Sequence, residues 1–400
     1  MSDTARLEDR PLRVVYLIPH GGVRGPMGRI CDLLIRALGE AGCTVTPIGY
    51  GSRGTQMPRW LNLLRQAEDI LRVSGQVRVL CPDVLLVGTS HGWQTMLRDI
   101  PLLVCMGRPY GVTVLQFHGT RAHLLGKPGH RVFTLASRVV ATLATCCLVL
   151  SREEARAWSQ FVPRGRFVAV SNPFLGQGKG PSPASSPPLT QEPVVLYVGR
   201  LLRFKGVYEL LEAFERLQKT VPCRLSFVGD GPELQGLERR AAEAGLSTRV
   251  EFRGYLQSEA LWRAYHEADV LALPSHAEGF PTVLAEAMFH DLPFVTTGIR
   301  GAADHFENGV HAMLIRPGDV PGLREALEAV LTNQGLRDRM VTANRRKLDE
   351  FAPEVVASRY VELLRSLLRD AGDAGSSGWG VSRMRRNRRC LIGRRASLRR

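Results

Sequence analysis

The chain has 400 residues, 44% of them apolar, eight cysteines and a formal net charge of +15. That length predicts two or three domains, and the apolar share is ordinary for a soluble globular protein. No Cys-x-x-Cys spacing occurs, Cys146 and Cys147 adjoin within an apolar run, and Met1–Arg10 is polar and mixed in charge. A disulfide framework, a zinc site and a secretory leader are therefore not expected.

In chain order, Arg13–Pro19 is a continuous apolar strand followed by the sharp turn of Gly21 and Gly22. Met27–Ala41 repeats apolar residues at helical spacing (Ile30, Leu33, Leu34, Ala37, Leu38), and Gly42 supplies the stop. Thr44–Ile48 is a second strand, Leu61–Val73 is amphipathic, and Asp83–Val87 and Val112–Phe117 are buried strands. The alternation is that of a parallel sheet covered on both faces. Val132–Leu150 is the most apolar window and approaches the length of a membrane span, but Arg138 and its Ser, Thr and Cys content interrupt it. It reads as a helix followed by a buried strand at Cys147–Leu150.

From Phe174 to Pro193 the pattern collapses into Gly, Pro, Ser and Gln, the composition of a linker. The alternation then restarts. Strands are expected at Val194–Val198, Arg224–Val228, Val250–Phe252, Ala268–Ser275 and Pro293–Thr296, with helices at Gly206–Gln218, Pro232–Ala244 and Ser258–His266. Val320–Leu368 is helical with a break at Pro353. Nine of the fifteen excess positive charges then fall in Val381–Arg400. The domain reading is an N-terminal Rossmann-like half over 1–173, a linker over 174–193 and a second Rossmann-like half over 194–352. A helix over 353–370 returns to the first half, and a disordered Arg-rich tail occupies 371–400.

A second charge asymmetry lies inside the fold. Ile100–Arg152 contains no Asp or Glu, yet carries Arg108, Arg121, Lys127, Arg131, Arg138 and Arg152. Such a field attracts anionic partners, among them lipid headgroups, phosphorylated acceptors and nucleic acid. Within it, Arg121–Arg138 mixes basic residues with Leu124, Leu125, Val132, Phe133 and Leu135. Two readings stand side by side: an interfacial segment docking on an anionic membrane surface, and an ordinary helix with a solvated basic edge.

The chemistry concentrates in the second half. Glu278 and Glu286 stand eight residues apart, with Gly279-Phe280-Pro281 after the first and the second inside a helical pattern that Pro281 suits as a first residue. Glu278 is expected in the loop at the carboxyl end of a strand, where open α/β sheets bind ligands, and Glu286 on the helix face of Thr282. Gly199-Arg200 and Lys205-Gly206 put two cations between a strand and a helix, able to grip a diphosphate from two sides. Two solvated charges near a turn would look the same. Val228–Glu233 is a further strand–glycine–helix junction, read as structural. In the first half, Pro19-His20-Gly21-Gly22 is no G-x-G-x-x-G fingerprint, so nicotinamide binding is disfavoured; its glycines suit close approach to a phosphate or sugar. His118, beside Gly119 at the end of Val112–Phe117, sits at a ligand-facing rim.

Taken in order, Gly199-Arg200…Lys205-Gly206, Gly229-Asp230-Gly231-Pro232, Pro274-Ser275-x-x-Glu278-Gly279-Phe280-Pro281…Glu286-Ala287-Met288 and Gly301-Ala302-x-Asp304…Asn308-Gly309 resemble the retaining GT-B glycosyltransferases of the family-4 type. The likeness covers residues 194–320 and continues more faintly over 13–172. There, His20-Gly21-Gly22, Phe117-His118-Gly119, Ser151 and Ser171-Asn172-Pro173 fall in matching places. The sequence departs from the pattern at Asp291 and Ala312, where glycine is usual, and at Asp304, where Glu is frequent.

The resemblance implies an α/β fold of GT-B architecture, with two Rossmann-like domains facing across a cleft, the first binding acceptor and the second a nucleotide-sugar donor. It implies that Arg200 and Lys205 neutralise the diphosphate and that Glu286 binds the ribose hydroxyls. Glu278 would hold hydroxyls of the transferred sugar and His118 would contact the sugar or the reacting centre. Backbone groups at Gly21, Gly22, Gly199 and Phe280–Thr282 (Phe280, Pro281, Thr282) would complete the donor site. No cofactor and no metal is expected. The expected activity is retaining transfer of a sugar from a UDP- or GDP-linked donor to a glycan or lipid-linked acceptor in cell-surface polysaccharide or glycolipid synthesis. The expected location is the cytoplasm, with or without peripheral attachment to the cytoplasmic face of the membrane. A glycosidase using the two glutamates as acid and nucleophile is the nearest enzymatic rival. A non-catalytic nucleotide-sugar-binding scaffold is the rival from another class. No specific nucleic-acid partner is expected, since no recognition motif accompanies the Arg-rich tail.

Overall fold

The computed structural model describes residues 10–19, 26–51, 59–107, 111–120, 124–125, 130–176 and 192–376. By contacts the described chain divides into two units. One comprises Met1–Val149, Glu154–Pro173 and Pro353–Arg400; the other comprises Leu150–Glu153 and Phe174–Ala352.

The first unit is built as β1 (Leu12–Pro19), α1 (Pro26–Glu40), β2 (Cys43–Tyr50), α2 (Arg59–Leu80), β3 (Val84–Thr89), α3 (Trp93–Met106), β4 (Val112–Phe117), α4 (Arg131–Leu143), β5 (Cys146–Val149), α5 (Arg152–Phe161) and β6 (Phe167–Ala169). All strand pairs are parallel, in the order β2-β1-β3-β4-β5-β6. Alternate residues of β1 feed two separate cores. Leu12, Val14 and Tyr16 pack with Leu34, Ala37 and Leu38 of α1, whereas Val15 and Leu17 pack with the layer holding Val77, Met96, Phe133 and Trp158. Period-two burial on both faces is why these strands read as unbroken apolar runs rather than alternating ones.

The second unit continues with β7 (Val194–Val198), a 3-10 turn at Arg203–Lys205, α6 (Val207–Leu217), β8 (Arg224–Val228), α7 (Leu234–Glu243), β9 (Val250–Phe252), α8 (Ser258–His266), β10 (Val270–Leu273), α9 (Thr282–Phe289), β11 (Phe294–Thr297), α10 (Arg300–His305), β12 (Met313–Ile315), α11 (Val320–Thr332) and α12 (Gln334–Leu348). Its six strands are again parallel, in the order β12-β11-β10-β7-β8-β9. One contiguous apolar core joins both faces of this sheet to its helices. A last helix, α13 (Pro353–Ser376), belongs to the first unit, where Val356, Ala357, Tyr360 and Leu364 pack on α1. It begins at the expected proline and runs on to Ser376 instead of stopping at Asp370. The residues after Asp370 include Ala371, Gly372 and Asp373, none of which breaks a helix as proline would.

Three expectations gain physical detail. The apolar window at Val132–Leu150 divides into the 13-residue α4 and the four-residue buried strand β5, and no described helix is long and apolar enough to cross a membrane. Only part of the Arg121–Arg138 segment falls among the described residues. Residues 121–123 and 126–129 lie outside the described residues, Leu124 and Leu125 pack on the core, and Phe133 is buried because α4 uses that face to cover the sheet. The departures from glycine are also accommodated. Asp291 does adopt a left-handed φ of 53°, but its buried carboxylate is gripped by Arg345, with Nε at 2.8 Å and the second guanidinium nitrogen at 2.5 Å. Ala312 is buried outside the left-handed region and accepts from the Gly309 N–H at 2.8 Å, so a methyl group costs it nothing. Linker residues 177–191 and tail residues 377–400 lie outside the described residues.

Candidate functional site: the carboxyl edge of the second sheet

In the second sheet β7 has β10 on one side and β8 on the other. The chain proceeds one way from β7 through β8 and β9, then returns to lay β10 on the opposite side. This makes the crevice beyond the carboxyl ends of β7 and β10 a topological switch point, where doubly wound sheets bind ligands. Arg200 and Lys205 follow β7, and Glu278 follows β10.

The two loops are locked together by backbone. His276 N–H donates to Phe204 C=O at 2.8 Å. Gly206 has φ +72°, and a Cβ there would lie 2.1 Å from the Pro274 carbonyl oxygen, so only glycine permits this approach. Lys205 is thereby carried to Glu278, and their side chains form an ion pair while 20% and 15% exposed. Ser275 Oγ also donates to the Glu278 carboxylate, at 3.0 Å. On the far side of the β7 loop, a Cβ on Gly229 would meet the Gly199 carbonyl oxygen at 1.9 Å, and Leu201 N–H donates to Asp230 C=O at 2.9 Å. The Gly229–Pro232 turn thus has a structural role, supporting the Arg200 loop from behind. Buried Tyr197 donates to the Arg200 carbonyl at 2.9 Å. Burial, reinforced by the Glu278 charge, raises its phenol pKa far above the ordinary value, so it remains a neutral donor. The Arg200 side chain is exposed and makes no ion pair among the described residues.

Glu286 lies on α9, one turn after Thr282 on the same face. It is half-buried, and the buried Tyr265 hydroxyl donates to its Oε2 at 2.7 Å. The N-terminus of α9 has Pro281 at its cap and no side-chain cap bond, leaving first-turn N–H groups for an anion. Pro281 itself has no N–H. Of Phe280, Pro281 and Thr282, only the first and third can donate from the backbone. The Phe280 ring turns inward, stacked on Phe351 at 4.8 Å, so its side chain is core.

His118 belongs to the first unit, immediately after β4. Its backbone N–H donates to Thr89 C=O at 2.9 Å, and its Nε2 lies 4.0 Å from Cys31 Sγ. Nδ1 is buried with no hydrogen-bond partner among the described residues. Burial lowers the imidazole pKa to about 4, so the ring is neutral near pH 7. Gly21 and Gly22 lie outside the described residues.

The structure therefore brings Lys205, Glu278, Gly199 and the start of α9 to one sheet edge. It adds three residues that sequence reasoning missed: Ser275, Tyr265 and Tyr197. Ser275 stood inside a quoted motif, but nothing in the spacing of Tyr265 or Tyr197 linked them to Glu286 or Arg200. Among the described residues no group of three or more His, Cys, Asp and Glu side chains is placed to hold a metal. A cavity of about 670 Å³ lies at the amino end of the same sheet, lined by Val194, Arg224, Ser226, Arg249, Glu251 and Glu267. Its arginines are already paired, Arg224 and Arg249 with Glu192 and Arg253 with Glu267, and it sits away from the switch point, so the carboxyl edge remains the candidate site.

Residues 181–347 match the family described as glycosyl transferases group 1. The chain is 34% identical over 303 residues to the glycogen synthase of Mycobacterium tuberculosis, a match covering 73% of this chain and 71% of that protein. It is 30% identical over 216 residues to the lipopolysaccharide core biosynthesis glycosyltransferase LpsE of Rhizobium meliloti, over 54% of this chain and 59% of that one. The structure of Anabaena Alr3699/HepE in complex with UDP-glucose superposes with a TM-score of 0.68 at 19% identity, covering 89% of this chain and 100% of the other, and so shares the fold. With the switch-point site, the ordered motifs and this extent of likeness together, the chain belongs to the glycosyl transferases group 1 family and has the GT-B fold.

Proposed function

We propose that the protein is a retaining glycosyltransferase that moves a sugar from a UDP- or GDP-linked donor to a glycan or lipid-linked acceptor in cell-surface polysaccharide or glycolipid synthesis. The observation that carries this reading is the Lys205–Glu278 pair at the β7/β10 switch point, beside the exposed Arg200 and the uncapped start of α9. Cations and free N–H groups suit a diphosphate. Carboxylates suit the sugar hydroxyls at one end and the ribose diol at the other.

In this reading Arg200 and Lys205 stabilise the negative charge that grows on the diphosphate as the anomeric C–O bond breaks. Glu278 holds the sugar hydroxyls and Glu286, oriented by Tyr265, holds the ribose. The acceptor hydroxyl attacks from the face the diphosphate leaves, its proton passes to the departing phosphate oxygen, and configuration is retained. His118 is assigned to contact with the sugar or reacting centre, supported by its unbonded buried Nδ1 and neutral ring. The diphosphate charge is met by side chains and backbone, so turnover is expected to be independent of divalent metal.

The relatives support the donor and acceptor classes. HepE binds UDP-glucose. A Campylobacter jejuni relative, 26% identical over 66% of this chain, is named for N-acetylgalactosamine transfer to an undecaprenol-diphosphate-linked glycan. The test is a thermal-shift panel of UDP- and GDP-sugars, followed by transfer with the stabilising donor in EDTA and assignment of the product anomer by NMR. A donor-selective shift and a product of the donor's anomeric configuration are expected. Absence of stabilisation by any nucleotide sugar, or an inverted product, overturns the reading.

A further inference from the structure

The helices α3 and α4 carry exposed apolar residues on the side that faces away from the sheet as well as buried ones on the side that faces it. On α3, Met96, Leu102, Leu103 and Met106 are buried against the core, yet Trp93, Leu97 and Val104 are 42%, 64% and 59% exposed, and Pro101 between them is exposed too. Positions 93, 97, 101 and 104 follow one another at helical spacing, so they form a single outward stripe. On α4, Phe133, Ser137, Val140 and Ala141 are buried, while Val132 and Leu135 are 70% and 63% exposed. The two helices are packed against each other, and the Trp93 ring meets Phe133, the sequence neighbour of exposed Val132, edge-on at 5.5 Å. Isolated exposed apolar residues need no explanation, but several gathered on two helices packed against each other mark an interaction surface.

Charge selects the partner. The outer face of α4 carries exposed Arg131 and Arg138 and no acid, and the only acid of α3, Asp99, is buried and paired with Arg98. A second copy of the chain laid symmetrically on this face would offer these arginines no acidic side chain of α3 or α4 to pair with. An anionic bilayer surface meets both features: its acyl boundary takes the aliphatic residues and its phosphates take the guanidinium groups. Tryptophan at the edge of such a patch is the residue type most favoured at the headgroup level.

We propose that the outer face of α3 and α4 docks the protein on a bilayer containing anionic lipid. This surface is built from residues of the first unit and does not depend on the donor assignment. It also differs from the segment singled out in the sequence: of that segment's apolar residues only Val132 and Leu135 face outward, and α3 supplies the rest.

The experiment is flotation of the full-length chain with vesicles of equimolar phosphatidylglycerol and phosphatidylcholine, and with phosphatidylcholine alone. It is repeated for Leu97→Gln/Val132→Gln/Leu135→Gln and for Arg131→Glu/Arg138→Glu, each checked for an unchanged melting temperature and native mass. Binding to the anionic vesicles alone is expected, weakened about tenfold or more by either variant and by raised salt. Brominated lipid is expected to quench wild-type fluorescence more than that of Trp93→Phe. Binding that survives both variants places the attachment elsewhere, for example in the Arg-rich tail, and overturns the proposal. So does equal binding to neutral vesicles. A wild-type dimer that the Gln variant dissociates, without change in vesicle binding, assigns the face to a second copy instead.

Discussion

Replacing Lys205 by Met separates the two things this residue does. Methionine keeps the length of the stem and removes the charge. Glu278, 15% exposed, then loses its ion-pair partner and keeps Ser275 as a donor. Breaking a fully buried pair by removing one partner costs about 3–5 kcal/mol, and an exposed pair contributes about 0–1 kcal/mol. With limited water access and one remaining hydrogen bond, an intermediate cost of about 2 kcal/mol is expected. In a unit of about 180 residues, that cost corresponds to a fall in Tm of about 4–8 °C. The loss in turnover should be larger, because removing one donor to developing negative charge costs about 10²–10³ in kcat. The assay compares single-turnover rate and melting temperature for Lys205→Met and for Lys205→Met/Glu278→Gln. The second substitution removes the stranded carboxylate, so it should restore most of the Tm but none of the rate. Recovery of turnover along with stability, or turnover of the single variant within threefold of wild type, would refute the leaving-group role.

Three further outcomes are expected. Burial holds the His118 pKa at about 4, and burial with the neighbouring His266 charge holds His290 at about 4, against 6.5 for a free imidazole. The unfolded chain therefore binds more protons at these sites between pH 6.5 and 4, and their contribution to stability is present above pH 6.5 and lost as pH falls toward 4. The slope of Tm against pH in that window should be shallower in His290→Phe than in wild type; equal slopes would contradict the assignment. Gly206→Ala adds a methyl group at a φ of +72°, 2.1 Å from the Pro274 carbonyl oxygen, and should lower stability by more than about 2 kcal/mol in a thermal melt. A near-neutral effect would mean the β7 and β10 loops are not locked as described. Tyr265→Phe removes the hydroxyl that donates to Glu286 at 2.7 Å and should raise KM for the donor about three- to tenfold with kcat little changed. A fall in kcat at constant KM would place Glu286 at the reacting centre instead of the ribose.

The sequence by itself determined the two α/β halves, because strands buried on both faces and helices buried on one leave distinct periodicities in the chain. It also determined the strand at Val194–Val198, the helix at Ser258–His266 and the ordered motifs, since each is a local pattern of residue types. Burial and pairing at a distance were not legible. Only the tertiary strand order made β10 the neighbour of β7, and so brought Glu278 to Lys205, 73 residues earlier. Only helix packing set Tyr265 under Glu286 and turned Phe280 into the core. The same limit governs the outer face of α3 and α4. Apolar residues at helical spacing announce that a face will be covered, but whether by the sheet or by something outside the chain depends on which side the sheet already occupies.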